Sequence, residues 1–378
     1  MILKSDKIIT PKGLFSGYVT VENGKIKSVT SEKPQGETLD FTGKYLSPGF
    51  IDMHTHGAGG FAFVNSSADE VVNGCNYHLN FGTTSILPTI SASPFADMEK
   101  AVSDIAEAKR SGKCKANIIG AHLEGPYLST NQCGAQCTDY ITAPKSEEYL
   151  PFLEKWGSEV ARWTYAPEND DGSFCKAITS RGIIASAGHT DAKYEDMARA
   201  IDSGCSLITH LYSCTSTVTR DKGFRSLGVI ESAYLRDELF VEIIADGKHL
   251  PPDLIKMILK VKGKEKVALI TDSLHLAGTD VKEGFMAGTH FIIEEGVCRL
   301  YDRSAFAGSI ATADRLVRVL VREVGESIVD SVKMLTEVPA KILKLNKGKI
   351  EPTYDADLIV FDENISVSSV FVGGTQVK

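Results

Sequence analysis

Two rhythms of apolar and polar residues divide the chain. Over residues 1–47, short alternating stretches (Gly17 to Val21, Lys25 to Val29) are punctuated by glycine and proline, a pattern that predicts small antiparallel strands. The same texture returns from Asp357 to Phe361 and from Ser369 to Gly373. Both chain ends are therefore expected to build one small β-sandwich domain, residues 1–47 with 346–378, and the middle, residues 48–345, to be inserted between them.

The middle follows a different pattern. Near-continuous apolar, β-rich runs occur at Tyr45–Met53, Thr84–Thr89, Asn117–Leu123, Val160–Ala166, Ile183–Ala187, Leu207–Leu211, Phe240–Ala245 and Val267–Thr271. Most of the intervals hold helical periodicity, as in Phe95–Arg110, Tyr194–Ser203 and Asp253–Val261. Apolar strands alternating with helices predict a parallel sheet buried on both faces. Eight such units in about 250 residues match an α/β fold of the (β/α)8 TIM-barrel type; an open doubly wound sheet is the second choice. No fixed-period repeat or low-complexity segment interrupts the pattern.

Composition narrows the function. With 43% apolar and 24% charged residues, the 378-residue chain has the make-up of a folded globular protein. A net charge of −8 argues against nucleic acid as a partner, because phosphate-backbone binding needs a cationic surface. The opening residues show no apolar stretch followed by a small-residue cleavage site, so no secretory signal is expected, and no apolar run approaches the roughly 20 residues of a membrane-spanning helix. The eight cysteines lack a C-x-x-C pair and read as reduced thiols, so a cytoplasmic protein is expected. Cys133 and Cys137, four apart in one loop, could hold a metal, but two thiols do not fill a structural site, and plain loop thiols are the preferred reading.

The chemistry is expected where the strands end. The first run leads into Asp52-Met-His54-Thr-His56, the third into His122-Leu-Glu124-Gly-Pro126, the fifth into Gly188-His189, the sixth into Thr209-His210 and the eighth into Thr271-Asp272-Ser273. The seventh is followed by Asp246-Gly-Lys-His249. In a parallel barrel all carboxyl ends share one rim, where catalytic loops gather. His54 and His56, two apart on a strand, point to the same side. Together with Glu124, His189, His210 and Asp272 they form a donor set suited to zinc or ferrous iron. His122 reads either as support for Glu124 or as core, and His78, His275 and His290 as ordinary histidines. Phosphate-binding glycine loops and the G-x-S-x-G elbow are absent.

The segment Pro48-Gly-Phe-Ile-Asp52-Met-His54-Thr-His56-Gly57 resembles the opening motif of the metal-dependent amidohydrolase superfamily. His122-Leu-Glu-Gly-Pro126, Ala187-Gly-His189, Thr209-His210-Leu-Tyr212, Ala245-Asp-Gly-Lys-His249, Thr271-Asp272 and Ala307-Gly-Ser309 resemble the N-acetylglucosamine-6-phosphate deacetylase family. The fourth run ends in Ala166-Pro167-Glu168, without the lysine that many amidohydrolases carbamylate there, which leaves Glu124 as the bridging carboxylate. The resemblance implies a cytoplasmic hydrolase of amino-sugar catabolism that removes an acetyl group from a sugar phosphate. Its metal ligands would be Glu124, His189 and His210 for one divalent cation, zinc or else iron, and His54 and His56 for a second. Asp272 would be the catalytic aspartate. His249, Gln136, Ser213, Cys214 and Ser309 would meet the substrate, as would Arg220, which reaches in from the neighbouring subunit of a homodimer; Arg225 is its rival.

Three departures stand out. Ser213-Cys214-Thr215 stands where relatives commonly read Asn-Ala-Met, whose Asn-Ala backbone holds phosphate; Gln136 stands where some members place a histidine; and the loop Lys222–Leu227 is longer than usual. They leave open a different N-acetyl amino sugar or a cyclic amide as substrate. A catalytically silent binding protein would show lost ligands, and here all six positions are filled.

Overall fold

The computed structural model describes residues 1–286 and 289–378. Eight parallel strands among them form the barrel: β1 (Phe50–Thr55), β2 (Thr83–Ser91), β3 (Ala121–Glu124), β4 (Val160–Tyr165), β5 (Ile184–Ala187), β6 (Leu207–Ile208), β7 (Phe240–Ile244) and β8 (Val267–Ile270). Each pairs in parallel with the next, from Phe50 opposite Thr83 at one end of the series to Ile244 opposite Ile270 at the other. The circle is completed beyond β8, where Asp272 N donates to His54 O at 2.9 Å and His56 N to Ser273 O at 2.8 Å.

Alternation along the strands sorts residues between two environments. Val241 and Ile243 join the large core between strands and helices, where helix Phe95–Arg110 contributes Met98, Val102 and Ile105. Phe240 and Ile244 belong instead to a separate cluster with Met53, Leu87, Leu207 and Ile270, which Val338 and Ile342 of helix Glu337–Ile342 complete. Helix Ala68–His78 starts at a reciprocal cap: Ser67 Oγ accepts from Glu70 N, and Glu70 Oε2 accepts from Ser67 N at 2.8 Å.

The small β-sandwich is one folded sheet whose strands come from both ends of the chain. Its order is Thr375–Gln376, Val367–Val372, Leu358–Phe361, Tyr45–Pro48, Ile2–Thr10, Gly13–Glu22 and Lys25–Thr30, with Thr38–Asp40 also paired to Ile2–Thr10. Leu3, Ile8, Val19, Leu46, Leu358, Val360 and Phe371 give it a core of its own.

The apolar run Tyr45–Met53, expected as one strand, is two. Tyr45–Pro48 pairs antiparallel with Leu358–Phe361 in the sandwich, and β1 begins only at Phe50. Gly49 makes the crossing: a Cβ there would lie 2.1 Å from Thr84 Oγ1, so no larger residue fits between the two sheets. Two antiparallel excursions, unforeseen in the sequence, rise from the strand ends. Thr219–Asp221 and Phe224–Ser226 form a hairpin after β6, and Glu283–Met286, Thr289–Glu294 and Val297–Leu300 form a three-stranded flap after β8. No helix among the described residues is long and apolar enough to cross a membrane.

Candidate metal centre and substrate cavity

His54 lies in β1 and Glu124 ends β3, while His189, His210 and Asp272 each fall two residues past the end of β5, β6 and β8. These last three have φ of 49°, 27° and 46°. Left-handed backbone costs a non-glycine residue about 1–3 kcal/mol, so its threefold recurrence here marks positions that the surrounding packing imposes.

Glu124 is the hub. Its Oε1 lies 3.0 Å from His210 Nε2, 3.2 Å from His189 Nε2 and 3.3 Å from His54 Nε2, and its Oε2 lies 3.2 Å from His56 Nε2. Asp272 Oδ1 is 3.3 Å from His56 Nε2 and 3.5 Å from His54 Nε2. The donors thus fall into two buried triads, Glu124–His189–His210 and His54–His56–Asp272, each with its ligand atoms within 4.8 Å of one another.

The backs of the rings determine which nitrogens face inward. His189 Nδ1 meets Gln132 O at 2.9 Å and His210 Nδ1 meets Ser213 O at 3.0 Å. A carbonyl oxygen only accepts, so both Nδ1 atoms carry hydrogen, and each ring in its neutral form turns a bare Nε2 lone pair inward. Those two Nε2 atoms face each other at 3.2 Å, beside a carboxylate oxygen. Lone pairs so arranged repel unless positive charge lies between them. The donor chemistry therefore fits a divalent cation of the zinc or iron type. Electrostatics agree: burial resists a charge on His54, yet Glu124 and Asp272 push its pKa up to about 10. Burial also opposes ionisation of Asp272, but His54 and His56 outweigh it and hold the carboxyl below its ordinary value.

A cavity of about 300 Å3 opens onto this cluster. Of the expected substrate residues, Gln136, Ser213, Cys214 and His249 line it. Gln136 is tied in place, donating from Nε2 to Glu124 Oε2 at 2.8 Å and accepting from Ala92 N at 2.9 Å. Ser309 does not reach the cavity. It is buried, its Oγ donates to Thr271 O and its N donates to Asp272 O at 2.8 Å, so it braces the aspartate from behind. Arg220 stands on the exposed hairpin, outside the cavity of its own chain, and pairs across it with Arg225. His122 is buried between Thr89 Oγ1 (3.1 Å) and Thr164 Oγ1 (2.8 Å), edge-on to His54.

Two features were not anticipated. Thr289 and Phe291 from the flap, with Phe306, wall the cavity; no strand-end motif marks them. Arg162 of β4 and Glu242 of β7 form an ion pair wholly inside the barrel. A charge in the middle of each apolar run was the visible signal.

Comparison with known proteins agrees with this geometry. Residues 45–377 match the model of the amidohydrolase family, and residues 2–42 that of an allantoinase composite domain. The first match spans most of the chain. The chain belongs to the amidohydrolase family. Within that family it falls among the N-acetylglucosamine-6-phosphate deacetylases: it is 32% identical to the one from Lysinibacillus sphaericus, over 94% of this chain and 92% of the relative. An N-acetylgalactosamine-6-phosphate deacetylase from Shewanella is 30% identical over 91% of this chain and 85% of its own length. Among solved structures, the Mycobacterium smegmatis N-acetyl-D-glucosamine-6-phosphate deacetylase, in complex with N-acetyl-D-glucosamine-6-phosphate, superposes with a TM-score of 0.93 at 28% identity. That match covers 100% of this chain and 99% of the other.

Proposed function

We propose that the protein hydrolyses the acetamide of N-acetylglucosamine 6-phosphate, giving glucosamine 6-phosphate and acetate. The observation that carries this reading is the pair of adjoining donor triads, Glu124–His189–His210 and His54–His56–Asp272, onto which a cavity of about 300 Å3 opens. Glu124, His189 and His210 would hold one divalent cation, zinc in our assignment and iron as its rival, and His54, His56 and Asp272 a second. Such a cation, when bound, supplies Lewis acidity toward an amide carbonyl and toward water.

The remaining work falls to the protein's own groups. Asp272, kept ionised, accepts the proton of the attacking water and returns it to the departing amine, the more demanding half of amide cleavage. Its backbone is held on both sides, by His54 O and by Ser309 N, so the carboxylate need not reorganise as the reaction proceeds. Gln136 keeps Glu124 Oε2 engaged, while the walls formed by Leu274, Phe291 and Phe306 exclude water from the acetyl group. His249, held by Asp246, serves the sugar phosphate together with the backbone around Ser213 and Cys214.

A phosphate dianion needs more positive charge than this. No lysine or arginine lines the cavity among the described residues. We therefore assign the missing cation to Arg220 of the partner subunit in a homodimer. The exposed hairpin that carries this arginine also carries Phe224, which is 81% exposed. All eight thiols are free, which fits a reducing compartment such as the cytoplasm.

The Shewanella relative favours one alternative, the galacto epimer of the same phosphate. Acetate release from N-acetylglucosamine, its 6-phosphate and N-acetylgalactosamine 6-phosphate, after reconstitution with zinc or iron, tests both readings. The gluco 6-phosphate should give the highest kcat/KM. Preference for the galacto epimer would transfer the assignment, and no acetate from any of the three would overturn it.

A further inference from the structure

We propose that the buried Arg162–Glu242 pair is a positioning device for His54, and that it sets the cation affinity of the His54–His56–Asp272 triad. The proposal rests on the metal reading of the site.

The four histidines of the cluster differ in what stands behind them. His189 and His210 back onto backbone carbonyls, and the Nδ1 of His56 meets the Ser91 hydroxyl at 3.1 Å. Behind His54 alone stands a carboxylate, with Glu242 Oε2 3.6 Å from its Nδ1. With hydrogen on Nδ1, the ring faces that carboxylate attractively and turns the Nε2 lone pair toward Glu124 and Asp272. With hydrogen on Nε2, a bare Nδ1 would confront a negative charge. Glu242 therefore selects the metal-ligating tautomer and strengthens the imidazole as a donor, as outer carboxylates do at metal-bound histidines.

Arg162 makes this carboxylate tolerable where there is no water. Both side chains are completely buried. The guanidinium meets Glu242 with two nitrogens, Nη2 to Oε2 at 2.6 Å and Nη1 to Oε1. Its orientation is fixed by four further acceptors: Met53 O at 3.2 Å, Ser186 Oγ at 3.2 Å, Thr209 Oγ1 at 2.8 Å and, at the longest reach, Thr164 Oγ1 at 3.5 Å. Arg162 thus holds Glu242 ionised and aimed at one ring, and the pair lies on the side of the cluster away from the cavity. Neither residue can touch substrate.

The test is cation binding to the metal-free protein, titrated with zinc against a competing chelator so that two affinities are resolved. Wild type is compared with E242Q and with the doubly neutral R162M/E242M. In both variants the cation held by His54, His56 and Asp272 should lose about 10- to 100-fold in affinity, while the Glu124–His189–His210 affinity stays unchanged. The double variant removes both charges, so it reads the effect even if E242Q, which strands a buried guanidinium, fails to fold. Circular dichroism of the metal-free proteins reports folding separately. Unchanged affinities in a folded variant overturn the proposal, as do equal losses at both sites or a double variant that cannot fold, because the pair is then scaffold. A wild type that binds one cation, indifferent to both variants, also overturns it and leaves the metal reading standing. A wild type that binds none overturns the metal reading itself.

Discussion

Asp246 and His249 are locked together at the cavity wall. Asp246 Oδ2 meets His249 Nδ1 at 2.9 Å, and its Oδ1 accepts from the backbone of Lys248 and His249 at 2.9 and 2.8 Å. The carboxylate holds the imidazole with Nδ1 turned away from the cavity and supports it in either charge state. A neutral ring can accept a sugar hydroxyl at Nε2, and a charged one can donate to phosphate. The D246N variant should therefore raise KM for the phosphorylated substrate about tenfold, the worth of one hydrogen bond to a charged group, with a smaller change in kcat. Steady-state kinetics at constant metal content checks this; an unchanged KM would remove His249 from substrate binding.

Asp272→Asn keeps the shape of the side chain and removes its basicity. It should bind substrate with near-normal affinity by calorimetry and lose roughly a thousandfold or more in kcat. A variant with near-normal turnover would show that another group moves the proton.

If Arg220 serves a neighbouring copy, R220A and D272N each spoil a different half of a shared site. Each variant alone should be nearly inactive. Mixed and refolded together, they should recover activity, because one site of each mixed dimer has both residues intact. Failure to complement, with dimers present by light scattering, would place the phosphate-binding cation elsewhere.

Stripping the cations with a chelator should abolish acetate release and lower the melting temperature. Returning zinc should restore both. A ligand at a hundredfold its Kd stabilises by about 2.7 kcal/mol, so the shift should grow with zinc concentration. A melting temperature that ignores zinc would contradict binding at the folded cluster.

His78 offers a stability test away from the site. Burial lowers its pKa from 6.5 to about 4, and its Nε2 meets Thr55 Oγ1 at 3.2 Å. Between those values the unfolded chain binds a proton that the folded one refuses. The stabilisation is thus complete above about pH 6.5 and is lost progressively as the pH falls toward 4. Relative to H78N, wild type should lose on the order of 3 kcal/mol of unfolding free energy across that interval, measured by denaturant titration. Parallel pH profiles would mean that His78 already carries its proton in the native state.

The donor residues were legible because a parallel barrel leaves its chemistry at the strand ends, where His54, Glu124, His189, His210 and Asp272 interrupt apolar runs. The sharing of one run between two sheets was not, because Tyr45–Pro48 and Phe50–Thr55 have the same apolar character and only the tightness at Gly49 separates them. The flap was missed for a related reason: its strands after β8 are short and answer to one another, with no helical spacing to announce them. Ser309 misled because proximity in a motif says nothing of direction. It stands one hydrogen bond away from Asp272, on the side facing the protein rather than the ligand. Arg162 and Glu242 were visible as charges in apolar strands, but only the closed barrel brings β4 opposite β7 and makes them partners.

His54 and His56, near the chain's beginning, and Asp272, far along it, supply the second donor triad, and their own peptide groups or an adjacent one stitch the first strand to the last. An ion gripped there would act as a clasp on the ring of strands. A polypeptide whose first and last strands still lay apart would hold neither the clasp nor the catalyst, so hydrolytic competence arrives only with the finished barrel.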